Sequence, residues 1–169
     1  MRLKFIIAIA ALFVVSACTT VSDTNSGSEG SGGSTKSSVE SQIKSAEILP
    51  GSQADLVSNV GDRVLFEYDS SDLTPEARST LERQAAWLKR YSNVSVTVEG
   101  HCDERGTREY NLALGDRRAT AVSNFLVALG INSTRIMTIS YGKEKPVALG
   151  SNDTAWSQNR RGVTRVRAQ

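Results

Sequence analysis

Between Thr19 and about Ser45 the chain offers almost nothing that a folded protein could bury. The run is Ser, Gly, Thr and Asn with scattered charge, densest at Asn25-Ser26-Gly27-Ser28-Glu29-Gly30-Ser31-Gly32-Gly33-Ser34. A segment of this composition has no apolar surface to offset its ordering entropy, so it is expected to be a flexible tether. Of the 169 residues, only the stretch beyond it can carry a core. One domain of about a hundred residues fits that stretch and can bury a real interior. Counted to Gly61, the tether has about 43 residues, an r.m.s. span of roughly 35–40 Å and a limit of roughly 150 Å.

Upstream, Arg2 and Lys4 precede eleven apolar residues, Phe5 to Val15, and then Ser16, Ala17 and Cys18. A basic start, a short apolar run and small residues at the end form a secretory leader. The run is well short of the roughly 20 residues a membrane-crossing helix needs. Val15-Ser16-Ala17-Cys18 resembles the lipobox of bacterial lipoproteins. That resemblance implies cleavage before Cys18, a diacylglycerol on its thiol and an acyl chain on its new amine. No other covalent group or cofactor is expected. Thr19, where an Asp would retain the protein at the inner membrane, resembles the pattern that sorts such proteins to the outer membrane. The competing reading is an ordinary leader followed by an incidental Cys. The expected division is a leader at 1–17, a lipidated tether at 18–50 and a folded domain at 51–169.

Two of the 20 basic residues, Arg2 and Lys4, lie in the leader, so the remainder match the 18 acidic ones. A neutral mature chain gives no electrostatic case for nucleic-acid binding. With Cys18 lipidated, Cys102 is the one cysteine left, so no internal disulfide can form. The fold must stand on packing alone.

The folded part reads as strand, helix, strand, helix, strand, with a short turn or helix and a last strand. Val64, Phe66 and Tyr68 share one face of a predicted strand over Arg63–Tyr68. Thr74-Pro75 opens a helix, with a capping hydroxyl and Pro at the first helical position. Ala77, Leu81, Ala85 and Leu88 then form its apolar stripe, up to Tyr91. Val94, Val96 and Val98 alternate in a second strand ending at Gly100. A second helix runs from near Thr107 to Gly130, a C-terminal cap. Ile136–Tyr141 and Val163–Arg167 are the third and fourth strands, with the turn or helix around Ala155–Arg160 between them. The predicted class is α/β, an α+β sandwich of a mixed sheet with helices on one face and some parallel pairing.

The second helix carries the anomaly. Leu114, Val122, Phe125 and Leu129 fall in about one quadrant of the helical wheel, and Arg118 sits in the middle of it. Burying a guanidinium without a partner costs several kcal/mol, an order-of-magnitude figure. Either Arg118 snorkels or pairs structurally with a carboxylate, or it closes the floor of a ligand site. Asn111 lies on the same side. Gly115 interrupts the helix at a cost of roughly 1 kcal/mol against Ala, which points to a close backbone approach. Asp69 follows the first strand and Asp103 the second, and ligands in such sheets bind beyond the carboxyl ends of strands. An Arg fork for a carboxylate and an Asp for an ammonium suit a zwitterion, although Asp also serves turns. His101-Cys102 invites a nucleophile reading, yet neighbours on an extended segment point to opposite faces. One His in the chain leaves a zinc site short of ligands. Cys102 is expected to be a small packing residue and the chain not an enzyme.

Glu99-Gly100-His101-Cys102-Asp103-Glu104-Arg105-Gly106-Thr107 with Tyr110-Asn111 resembles the peptidoglycan-associated lipoproteins of Gram-negative bacteria. Asn111-x-x-Leu114-Gly115-x-x-Arg118-Ala119-x-x-Val122 is similar to the peptidoglycan-binding signature of OmpA-like domains. Ser140-Tyr141-Gly142-Lys143-Glu144-Lys145-Pro146 and Asn159-Arg160-Arg161 also match, so the resemblance covers about Asp62 to Arg167. It implies an OmpA-like βαβαβ(α)β domain that grips meso-diaminopimelate in the peptide stem of peptidoglycan. The family's ligand Asp falls on Asp103 and its ligand Arg on Arg118. Phe66, Tyr68 and Asp69 match the strand end that lines the pocket, with Asp69 and Asp72 as supporting polar groups. Arg105, Thr107, Asn111 and Leu114 match pocket-wall positions. Cys102 and Gly115 depart from the common residues, Ala or Thr and Ser respectively, but both are small. The resemblance further implies the partner TolB, other Tol proteins, and a role in envelope integrity and cell division. The chain is thus expected to hold the outer membrane by lipid and the cell wall by its periplasmic head. A lipid-tethered scaffold acting through protein partners and a wall hydrolase are the rivals.

Overall fold

The computed structural model describes residues 48–167; the predicted leader, Cys18 and nearly all of the tether lie outside the described residues. Four helices and four strands follow in the order α1 (Gln53–Asn59), β1 (Arg63–Leu65), α2 (Pro75–Arg90), β2 (Val96–His101), α3 (Arg108–Ala128), β3 (Ile136–Gly142), α4 (Asp153–Asn159) and β4 (Arg161–Val166). The sheet order is β1-β4-β2-β3. β4 runs antiparallel to both β1 and β2, and β2 is parallel to β3. So β1, β2 and β3 all point one way, and their carboxyl ends emerge along one edge. That places the loops after β1 and β2 together, as a ligand site at strand ends requires.

The helices start where the capping chemistry directs. Thr74 and Thr107 are extended, and their hydroxyls accept from the Ala77 and Tyr110 amides at 3.2 Å each. Gly130, just past α3, has φ 92°, the left-handed conformation of a helix stop. Val64, Leu81, Ala85, Leu88, Val96, Val98, Val122 and Leu126 then form one core between the sheet and α2 and α3.

Three differences from the expected elements have physical causes. The first strand's ladder ends at Leu65 rather than Tyr68. Phe66 still donates its amide to Arg160 O at 2.9 Å and is buried, but Tyr68 is 62% exposed, not on the core face. Asp69, at φ 55°, turns the chain away there. On α3 the buried residue is Leu126, with Phe125 and Leu129 only partly covered, because the sheet meets the helix slightly to one side of the predicted stripe. Finally, α1 folds onto the head ahead of Gly61. Ser52 caps it, Leu56 is fully buried, and Trp87 Nε1 donates to Asp55 Oδ2 at 3.0 Å.

Candidate functional site

The close approach that Gly115 predicted is made by the sheet. A Cβ on Gly100 would stand 1.8 Å from Gly115 O, so β2 and α3 touch main chain to main chain. This contact sets the first turns of α3 directly beside the end of β2. At that same point the β2–β3 register shifts, Gly100 facing Ser140 but His101 facing Gly142. The bulge re-aims the segment that follows.

Arg118 is fully buried, and its guanidinium ties the loop ends together. Nε donates to Ser70 O at 2.8 Å, Nη1 to His101 O at 2.8 Å and Nη2 to Glu67 O at 3.0 Å. One cation thus holds the chain leaving β1 and the chain leaving β2. The Phe66 ring lies beneath it, 5.1 Å from centroid to guanidinium carbon. Three of the five N–H donors are committed to main chain, and Arg118 lines the cavity together with Cys102. Among the described residues Arg118 has no ion-pair partner within 4.0 Å. Burial, the largest effect, lowers its pKa from the ordinary value. Arg118 is held by carbonyl oxygens and Asp103 by the Arg105 and Arg160 guanidiniums, not by one another, and both line one cavity.

Asp103 is 4% exposed and accepts from Arg105 through the backbone N at 3.1 Å, Nε at 3.2 Å and Nη2 at 2.6 Å. Arg160 Nη1 lies 3.5 Å from Oδ2. Burial raises the carboxyl pKa, but the Arg105 and Arg160 bonds outweigh it and hold it below the ordinary value. Asp69 is exposed, and Tyr110 Oη donates to its Oδ1. Asn111 is buried; its Nδ2 donates to Arg105 O at 2.8 Å and Thr107 O at 3.0 Å, which pins the loop between β2 and α3.

These groups enclose a cavity of about 100 Å³ lined by Tyr68, Asp69, Asp103, Arg105, Asn111 and Arg118, with Leu114, Cys102, Tyr110, Gly106 and Arg160 completing the wall. Seven of the predicted site residues are thus brought together. Phe66 stands behind the wall as the ring under Arg118, and Thr107 serves as the α3 cap. Asp72 is exposed, its amide on Ser70 Oγ at 2.9 Å, and does not line the cavity. Arg160 is the residue sequence reasoning passed over, although it lies within the matching Asn159-Arg160-Arg161 segment. Its Nε donates to Phe66 O at 3.0 Å.

His101 and Cys102 face apart. The His101 ring packs 5.4 Å from Tyr141, on the sheet side away from the cavity. Cys102 is buried and its Sγ donates to Asn111 O at 3.3 Å; burial, the largest effect, raises its thiol pKa. It is a packing residue. Among the described residues no group of three or more His, Cys, Asp or Glu is placed to hold a metal ion.

Burial, reinforced by Arg161, Lys145 and Arg165, lowers the His101 pKa from 6.5 to about 3. The unfolded chain takes up a proton near 6.5 that the folded chain refuses, so stability is full above that pH and is lost as pH falls. The expected slope is about 1.4 kcal/mol per pH unit over the window from 6.5 down to about 3. Asp103, depressed below 3.8, adds a second loss below that pH, since its contribution is present above the unfolded value. Urea unfolding at a series of pH values should show this decline. His101→Gln should flatten the part above pH 4, and a parallel decline in that variant would refute the assignment.

Residues 65–160 match the model of the OmpA family. Over 115 residues the chain is 60% identical to the peptidoglycan-associated lipoprotein of Agrobacterium fabrum, a match covering 68% of this chain and 65% of that protein. The matched stretch therefore spans a little under two thirds of that relative. Among solved structures, the peptidoglycan-associated lipoprotein of Burkholderia pseudomallei is similar at TM-score 0.61 and 40% identity, covering 63% of this chain and 90% of that one. The C-terminal domain of Helicobacter pylori MotB shares the fold at TM-score 0.60 and 23% identity, over 64% of this chain and 85% of that one.

Proposed function

The chain belongs to the OmpA family, and on that premise we propose that it is a non-enzymatic lipoprotein of the outer membrane whose periplasmic head binds the peptide stems of peptidoglycan. The observation that carries this reading is Arg118, a fully buried guanidinium with no carboxylate partner among the described residues, beside a cavity that also holds Asp103. An uncompensated buried cation is costly, and a ligand carboxylate on its two remaining N–H groups would offset that cost. Asp103, with Asp69 at the rim, supplies the place for an ammonium. Three guanidiniums against two carboxylates around the cavity favour a ligand with at least one carboxylate. The side-chain end of meso-diaminopimelate, an ammonium and a carboxylate on one carbon, has this chemistry.

The placement of the chain's entry also supports a tethering role. Pro50 and Gly51 lie beside Val94 and Arg167, near the start of β2, whereas the cavity opens beyond its end. A strand of six residues separates them by roughly 20 Å, so the head meets its ligand on the side away from its attachment. Lipid on Cys18, anchorage in the outer membrane, TolB and other Tol proteins as partners, and a part in envelope integrity and division extend the proposal on the resemblance alone.

The test is titration of the full chain in detergent with a diaminopimelate-containing stem peptide and with its lysine-containing counterpart. Lysine lacks the side-chain carboxylate, and its binding should be weaker by roughly 30-fold or more, because a site left with an unpaired buried charge rejects such an analogue strongly. Asp103→Asn should weaken the diaminopimelate peptide by at least roughly tenfold. Equal binding of the two peptides would sink the wall-binding reading.

A further inference from the structure

Arg105 stands where a ligand's ammonium is expected. Its fork covers both oxygens of Asp103, at 3.2 and 2.6 Å. Its guanidinium lies between two rings, 4.1 Å from the centroid of Tyr68 and 4.1 Å from that of Trp156. Trp156 belongs to α4, and its Nε1 donates to Glu104 Oε1 at 3.0 Å, so the ring is fixed against the same loop that carries Arg105. The arrangement is a cation slot: two aromatic faces and a buried carboxylate around one positive charge. The side chain that fills it is still 31% exposed and rooted in a loop, so it has somewhere to go. The cavity that remains, about 100 Å³, is small for an amino acid end group while Arg105 occupies the slot.

We propose that Arg105 is the pocket's internal counter-ion, occupying Asp103 in the empty head and exchanging places with the ammonium of the incoming stem peptide, with Trp156 as the residue that positions it. The inference rests on the wall-binding reading and adds a regulatory step to it. Exchange keeps Asp103 paired at all times, which avoids a bare buried carboxylate in the empty state. It also lowers affinity, because the ligand must compete with a charge already in place. Affinity is thereby open to tuning through Trp156, which holds Arg105 but does not line the cavity.

The experiment is calorimetric titration of the full chain in detergent with the diaminopimelate-containing stem peptide, alongside Arg105→Ala, Arg105→Lys and Trp156→Phe. Removing the competitor should tighten binding roughly three- to tenfold in Arg105→Ala, as expected for loss of a partly exposed ion pair. Arg105→Lys, which keeps a cation but loses the two-pronged bond to Asp103 and the stacking on Tyr68 and Trp156, should tighten binding less than Arg105→Ala and fall between it and the native chain. A second signal comes from tryptophan emission. Leaving the Trp156 ring should change its fluorescence on binding in the native chain, and this change should vanish in both Arg105→Ala and Trp156→Phe. Weaker or unaltered binding by Arg105→Ala would overturn the exchange and leave Arg105 as a ligand contact or a loop brace. Failure of every form, native included, to bind the peptide would instead bring down the wall-binding reading and this inference with it.

Discussion

Gly100→Ala is expected to be the most damaging single methyl that can be added to the head. Its Cβ would lie 1.8 Å from Gly115 O and 2.6 Å from Gly115 C, both main-chain atoms of α3. No rotamer change relieves such a collision, so the helix must lift from β2. The core between them, Val96 and Val98 against Ala119 and Val122, would open with it. A loss of about 3–5 kcal/mol is expected, at the upper end for overpacking, against a total stability of about 5–15 kcal/mol. Gly115→Ala offers the contrast. Its Cβ would meet Ser140 Oγ at 2.3 Å and Gly100 O at 3.0 Å. A hydroxyl can rotate away, at the expense of its bond to Leu112 O of 2.6 Å. That variant should lose about 1–2 kcal/mol, with part restored by adding Ser140→Ala. Urea unfolding of the four chains decides the matter, and similar losses for the two glycines would show that α3 yields more easily than a packed helix should. Because α3 also carries Asn111, Leu114 and Arg118, Gly100→Ala should abolish wall retention even where some protein remains folded.

The elements that were legible in the sequence are those with a long apolar period or a capping residue. Both long helices begin at the threonines that marked them, and α3 ends at the expected glycine. The misplacement of Arg118 in an apolar stripe was legible for the same reason: a charge inside a periodic pattern is visible without a structure. What surrounds that charge was not. Its three acceptors are main-chain oxygens of residues 67, 70 and 101, and a carbonyl has no signature in a sequence. Asp103's partners were hidden too. One is its neighbour Arg105, too common a pattern to single out, and the other is Arg160, brought in from 57 positions away by β4's return between β1 and β2. The helix α1 escaped because seven residues are too few to display a stripe; the short element around Ala155–Arg160 was expected, but the place of Trp156 beside Arg105 was not. For α1 the surviving signals were Ser52 as a cap and one buried Leu56, at the end of a polar tether that masked them.

Arg118 is the second site where a large effect is expected, and it separates architecture from binding. Arg118→Met removes donors from three buried or half-buried carbonyls at once, at about 1–3 kcal/mol for each one left unsatisfied and unhydrated. It also removes a buried charge, which offsets part of the cost. The net loss should be about 3–4 kcal/mol, seen as a lower urea midpoint with an unchanged slope. Arg118→Lys keeps the charge but supplies a compact ammonium in place of a planar fork. It can satisfy one or two of the three carbonyls, and a loss of about 2–3 kcal/mol is expected. Loss of binding in either variant is therefore not evidence that Arg118 touches the ligand, since both loosen the loops that form the cavity. Asp103→Asn is the discriminating partner. Among the described residues Asp103 bonds the Arg105 and Arg160 side chains and the Arg105 amide, so its amide analogue should cost about 1–2 kcal/mol. A folded Asp103→Asn head that loses affinity for the diaminopimelate and the lysine peptide alike, since both carry the ammonium, would place the ammonium on Asp103. Arg118→Lys, measured at a temperature where it is fully folded, should then lose the diaminopimelate peptide by roughly 30-fold or more while its weak binding of the lysine peptide stays as it was. Equal losses for the two peptides would assign Arg118 to the architecture alone.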